Sequence, residues 1–148
     1  MAIRSFKPIT PSLRYKNVAD FSVLTRSSEL PQRPKSLTKV RSRTGGRNVY
    51  GRTTTYHKGG GHKRRYRVID LKRTKLEVPG TVSSLEYDPN RSSFIALITY
   101  VDGDKRFILA PQNLKVGATV LASDKADIQP GNHMTLQAMP AGTLLHNL

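Results

Sequence analysis

Residues 39–73 read KVRSRTGGRNVYGRTTTYHKGGGHKRRYRVIDLKR, and the side chains collected there suit phosphates and nucleobases. Arg41, Arg43, Arg47 and Arg52 surround the pair Gly45 and Gly46, with Asn48 among them. Tyr56, His57 and Lys58 lead into Gly59, Gly60 and Gly61. His62, Lys63, Arg64 and Arg65 follow, then Arg67, Lys72 and Arg73. An arginine offers a planar donor fork that matches a phosphate and can stack on a base, and a lysine offers a mobile point charge. Glycine lets one backbone pass close to another and exposes N–H groups to phosphate oxygens. Tyr50, Tyr56 and Tyr66, with His57 and His62, are stacking surfaces for unpaired bases. These residues form the candidate RNA-binding set, in a segment suited to threading between RNA helices.

Other chemistries fit less well. The triple glycine is not a mononucleotide phosphate loop, because no Gly-Lys-Ser/Thr follows at the required spacing. It is not a dinucleotide fingerprint, which needs a preceding strand. A flexible linker has a similar composition, and Gly59–Gly61 alone fits either reading; the charge density around it favours a polyanion. His57 and His62 lie five residues apart with no cysteine or acid between them, so a zinc site would need two further ligands that the sequence does not place. Ser and His occur without a recognisable nucleophile setting, and the chain is read as not an enzyme. No cofactor is expected, and Mg²⁺ would enter only through RNA phosphates.

The charge of the whole chain agrees. Its 148 residues carry 25 Lys and Arg against 10 Asp and Glu, a formal net charge of +15. Residues 1–75 hold 20 of those bases and 3 acids, while residues 76–148 hold 5 bases and 7 acids. A polyanion contact therefore belongs to the first half. A membrane surface is the poorer candidate, for lack of a basic amphipathic helix. The longest apolar run, residues 94–98, is too short to span a bilayer, and the opening MAIRSFKP has no apolar signal-peptide core. The absence of cysteine excludes disulfides and thiolate metal sites. A cytoplasmic or organellar location is expected.

What must position this segment lies on either side of it. Residues 1–65 are rich in Arg, Lys, Ser, Thr, Pro and Gly, with prolines at 8, 11, 31 and 34. Phe6, Tyr15, Phe21, Val23 and Leu24 are too sparse for an independent core, so this arm should be disordered alone and order on a partner. Residues 66–148 read as short strands. Residues 66–70 are one candidate, and residues 80–87 place Val82, Leu85 and Tyr87 in an imperfect alternation. A turn follows at Asp88, Pro89 and Asn90. Residues 93–101 form the strongest strand, and Asp102-Gly103 predicts a tight hairpin into residues 105–109. Phe94, Ile95, Leu97, Tyr100, Phe107, Ile108 and Leu109 are the expected core. Regular turn signals predict an all-β fold, a small antiparallel barrel behind a long basic arm. Residues 143–148 read as a strand that ends with the chain, the pattern of a fold that continues. A free single-strand-binding barrel is the competing reading, and it would need Tyr87, Phe94, Tyr100 and Phe107 on an open face.

At this level of detail the sequence resembles a known family. GGRNVYGR (45–52), YHKGGGHKRRYRVIDLKR (56–73), SLEYDPNRSSFIALITYVDGDKRFILAP (84–111), MPAGTLLHNL (139–148) and the opening IRSFKPITP (3–11) resemble the second large-subunit ribosomal protein, the universal L-two family, in its bacterial or organellar form. The resemblance covers essentially the whole chain. It implies a primary binder of large-subunit rRNA with a five-stranded OB-type barrel and an SH3-like barrel. It also implies neighbouring ribosomal proteins as partners, and links to subunit association, tRNA binding and peptide-bond formation. By position, residues 1–65 are the arm, 66–130 the OB-like barrel and 131–148 the start of a truncated SH3-like barrel. The family chain is longer, and its C-terminal extension has no counterpart here, so small-subunit and tRNA contacts would fall to that missing half. Tyr56 stands where a basic residue is common, and Leu71 where Phe is common.

Overall fold

A computed structural model describes residues 3–148 of the chain; the first two residues of the arm lie outside the described residues. Among the described residues, eight short strands and little helix make the fold all-β, of the OB type, with a sheet curled into half a barrel. Strands β1 (Ile3–Ser5) and β2 (Asn17–Ala19) pair antiparallel around the one-turn helix Pro11–Arg14. Strand β3 (Thr38–Val40) pairs with β4 (Arg65–Arg67). The main sheet holds β5 (Gly80–Glu86), β6 (Ile95–Tyr100), β7 (Lys105–Leu109) and β8 (Thr119–Val120), in the order β7-β6-β5-β8. The resemblance implied five barrel strands. The described residues give these four, and an isolated parallel bridge between Ile69 and Phe107 extends the β7 edge.

The run FIALI lacks alternation because β6 is buried on both faces. Ala96, Ile98 and Tyr100 pack with Val82, Leu85, Ile108, Leu114 and Val120 on one side. Ile95 and Leu97 pack with Phe107 on the other, under Leu37, Ile69 and Leu109. The imperfect alternation of β5 also has a cause. A register shift between Val82 and Ser84 inserts one residue, so Val82 and Leu85 reach the same core although they are three apart. Ser83 at the bulge shares a 2.6 Å hydrogen bond with Thr99. Gly80 lies where a side chain would collide with Ile98.

Four expectations from the sequence change. The strand foreseen over residues 66–70 forms as Arg65–Arg67 and pairs with the arm's own β3, straddling the expected boundary at 65/66. The hairpin after β6 is present, but its loop has three residues: Tyr100 N–H donates to Asp104 O and Gly103 N–H to Tyr100 O, both at 2.9 Å. Only Gly103 needs positive φ (83°), so Asp102 keeps an ordinary backbone. The strand foreseen over residues 143–148 does not form; among the described residues no partner strand lies beside it, and an extended segment becomes a strand only by pairing. Residues 131–148 carry the short 3₁₀ turn Leu136–Ala138 and a bridge from His133 to Ala122.

The fourth change concerns the arm. No residue between Ile3 and Asp70 is fully buried, as its composition requires. Yet residues 20–37 order on the chain's own sheet. Leu85 N–H donates to Thr25 Oγ1 (2.9 Å), and Thr25 N–H donates to Leu85 O (3.0 Å). Arg33 pairs with the buried Glu86 at 3.2 Å, Lys105 Nζ donates to Gln32 O, and Leu24 and Leu37 cap the two cores. Phe21 packs edge-on against Tyr87.

Phe107 is fully buried where β7 meets the Ile69 bridge. Phe107→Ala should therefore lower unfolding free energy by about 3–5 kcal/mol in a urea titration. Val101→Ala, at the exposed hairpin tip, should change it by less than about 0.5 kcal/mol.

Candidate nucleic-acid interface

Residues 30–69 contain no acid at all. The loop between β3 and β4 carries most of their charge, and it is built backbone on backbone. Residues 47 and 53 form an antiparallel bridge that closes a small hairpin. Its turn is fixed by Asn48, whose Oδ1 accepts from Tyr50 N–H and Arg52 N–H, both at 3.0 Å. Below it, Gly46 O accepts from Thr54 N–H (2.8 Å) and Thr55 N–H (3.2 Å). Gly46 has φ +75° and a Cβ there would collide with Thr55 O, so no other residue fits. The triple glycine has a related use. Arg43 Nη1 would lie 2.8 Å from a Cβ on Gly61, and Arg43 donates to Gly60 O at 3.5 Å. Glycine here admits the chain's own guanidinium groups.

The loop is tied to the barrel by the turn after β5. Asp88 is 0% exposed, and its carboxylate accepts from Asn90 N–H (3.0 Å), Asn90 Nδ2 (3.0 Å) and Arg91 Nε (2.7 Å). Arg67 lies 3.6 Å from the same group. Asn90 then faces the arm: its Nδ2 donates to Arg65 O at 2.8 Å, and its Oδ1 accepts from Arg41 at 3.2 Å. Arg64 donates to Pro89 O at 2.8 Å, and Arg91 lies over the Tyr66 ring. Sequence reasoning makes Asp88 a turn former, which it is, but misses that the turn is also the socket of the arm. The one available signal is a lone acid in a motif that otherwise reads as a turn.

The candidate residues therefore divide. Arg52, Lys58, Lys63, Arg65 and Lys72 are exposed and make no ion pair or side-chain hydrogen bond among the described residues. Tyr56, His57 and His62 are exposed beside Gly59–Gly61, with His57 at positive φ. Arg41, Arg43, Arg47 and Arg64 each donate within the chain but remain exposed. Arg67 is half-buried against Asp88. Arg73 is 7% exposed, donates to Gly131 O at 3.1 Å, and so serves the fold; its Nε and second terminal nitrogen have no hydrogen-bond partner among the described residues. Gly45 backs the Arg47 side chain.

Other bases are neutralised at the hairpin end of the sheet. Lys75 bonds Asp102 and Asp104, and Arg106 bonds Asp70 (2.9 Å) and Asp104 (3.0 Å). Lys75 holds the Asp102 carboxyl below its ordinary range, as Arg106 does for Asp104. Among the described residues, no three His, Cys, Asp or Glu come together as a metal site. Nor, among the described residues, is any helix long and apolar enough to cross a membrane. Phe94, Tyr100 and Phe107 are buried and only Tyr87 of the four is exposed, packed edge-on against Phe21, so the open aromatic face that a single-strand-binding barrel needs is not formed.

Burial raises the Asp88 pKa, but its hydrogen bonds from the Asn90 backbone and from Arg91 outweigh this and hold it below 3.8. Its contribution to stability is thus full above that value and is lost as pH falls through the lowered pKa. Asp88→Asn should cost about 2–3 kcal/mol at pH 7 in urea unfolding. The gap between variant and wild type should narrow below about pH 4. A gap that stays constant from pH 7 to pH 3 would refute the ionised role.

A family model described as "Ribosomal Proteins L2, RNA binding N-terminal domain" matches residues 34–122. The chain is 52% identical over all 148 residues to the "Large ribosomal subunit protein uL2" of Rhodospirillum rubrum. It is 51% identical over the same span to the protein of that name from Methylocella silvestris. The chain spans about half the length of these curated relatives, 52% in each case.

Proposed function

The chain belongs to the ribosomal protein L2 family, as its bacterial-type N-terminal portion, and on that premise we propose that it is a structural, non-enzymatic constituent of the large ribosomal subunit that binds large-subunit rRNA. The observation that carries this reading is the acid-free stretch of residues 30–69 held on the barrel by the Asp88–Asn90 socket. Most arm cations stay exposed, while Lys75, Arg91 and Arg106 on the barrel are paired with the chain's own acids. A protein meant only to be soluble has no need to segregate charge in this way. The arm neutralises phosphates in RNA crevices, and the barrel braces the surface. The RNA-binding residues are the exposed members of the candidate set, with Gly45, Gly46 and Gly59–Gly61 shaping the loop, Arg67 anchoring it at Asp88, and Arg73 serving the fold at Gly131.

The partners are large-subunit rRNA and adjoining ribosomal proteins, in a cytoplasmic or organellar ribosome. Residues 131–148 open the second barrel in this reading. Support of subunit assembly, subunit association and translation follows from the same placement, with tRNA and small-subunit contacts left to the longer family protein.

Binding to a transcribed large-subunit rRNA domain, with tRNA and a single-stranded oligomer as competitors, tests the proposal across a salt series. Affinity should survive both competitors. Replacing Arg52, Lys58 and Lys63 by Gln should reduce the magnitude of the salt slope by ~0.7–0.9 for each phosphate no longer neutralised. Replacing Lys75 and Arg106 should leave the slope unchanged, because their charges are already spent on Asp70, Asp102 and Asp104. Equal collapse with any polyanion, or an unchanged slope in the triple variant, would overturn it.

A further inference from the structure

The hairpin closed by residues 47 and 53 ends in two apolar side chains that stand clear of the rest of the chain. Val49 is 99% exposed and Tyr50 is 88% exposed. They occupy the two central positions of a turn in which Gly51 N–H donates to Asn48 O at 3.0 Å. Asn48 N–H also donates to Arg52 O at 2.9 Å, and Asn48 Oδ1 holds Tyr50 N–H and Arg52 N–H. The backbone beneath the ring is thus fixed by four hydrogen bonds through one asparagine. A single exposed apolar residue is ordinary. Two in succession, on a turn pinned this firmly and inside a stretch with no acid, need a partner. Arg47 and Arg52 flank them, so the partner must accept positive charge on both sides and an aromatic face in the middle. Folded RNA with an unstacked nucleobase has both properties.

We propose that this hairpin is a base-stacking probe, in which Tyr50 lies against an unpaired base of the RNA while Arg47 and Arg52 hold the adjoining phosphates. The inference rests on the RNA-binding reading above and adds the contact that charge alone does not supply. Stacking is indifferent to salt, whereas the flanking contacts are not. Tyr56 and Tyr66 are less suited. Tyr56 has no such hairpin beneath it, and Tyr66 already carries Arg91 on its ring.

The chain contains no tryptophan, so Tyr50→Trp installs a single indole at the tip. In complex with the transcribed rRNA domain, its fluorescence should be quenched and shielded from acrylamide. Tyr50→Phe should bind as the wild type does. Tyr50→Ala should bind about 5- to 100-fold more weakly, with the salt slope unchanged. An indole that stays open to acrylamide in the complex, or an alanine variant of full affinity, would overturn the stacking role while leaving the phosphate contacts standing. Wild-type protein that shows no preference for the rRNA over tRNA would be a different failure, sinking the ribosomal reading and this one together.

Discussion

A carboxylate with no solvent contact organises the basic half of the chain. Asp88 sits between Arg67 and Arg91, and Asn90 in the same turn reaches Arg41 and the Arg65 carbonyl. Without it, a segment of like charges would repel itself away from the sheet. Burying one acid among several arginines converts that repulsion into a fixed geometry, because an ion left unpaired in such a place would be costly. The position of the loop, and of the hairpin it carries, descends from this one group. Gly46 and Gly61 then decide how closely the strands of the loop can approach.

The sheet imposes the complementary constraint. Since β6 is buried on both faces, something must cover the side bearing Ile95, Leu97 and Phe107, and Leu37 of the arm helps to do so. Arm and barrel are therefore parts of one fold from Phe21 onward. The polar clasp from Arg33 to Glu86 and the paired bonds between Thr25 and Leu85 keep that cover in register.

Much of this is legible in the residues alone. The β6–β7 hairpin is legible because Asp-Gly between apolar runs has few other uses, and the phosphate-seeking loop because its charge is so lopsided. The bulge in β5 shows only as a broken alternation at Ser83 and Ser84. The burial of Arg73 cannot be foreseen, since an arginine beside Lys72 looks like any other until Gly131, far along the chain, folds back to accept from it. Docking of residues 20–37 is hidden for the same reason: it depends on contacts across 60 residues, and local composition says only that the arm cannot fold by itself. Residues 143–148 mislead because apolar content suggests a strand where no neighbour is at hand among the described residues.

The socket also sets an order of events. Arg41 and its acceptor Asn90 are 49 residues apart, and the arm is made first. At roughly 5–20 residues per second, the cationic loop waits a few seconds for the turn that will receive it. In that interval it is an unfolded polycation, free to adhere to any RNA within reach. Completion of the β5–β6 turn fixes the geometry in which those cations are presented, so the time of elongation through residues 42–91 sets how long the loop stays unshaped.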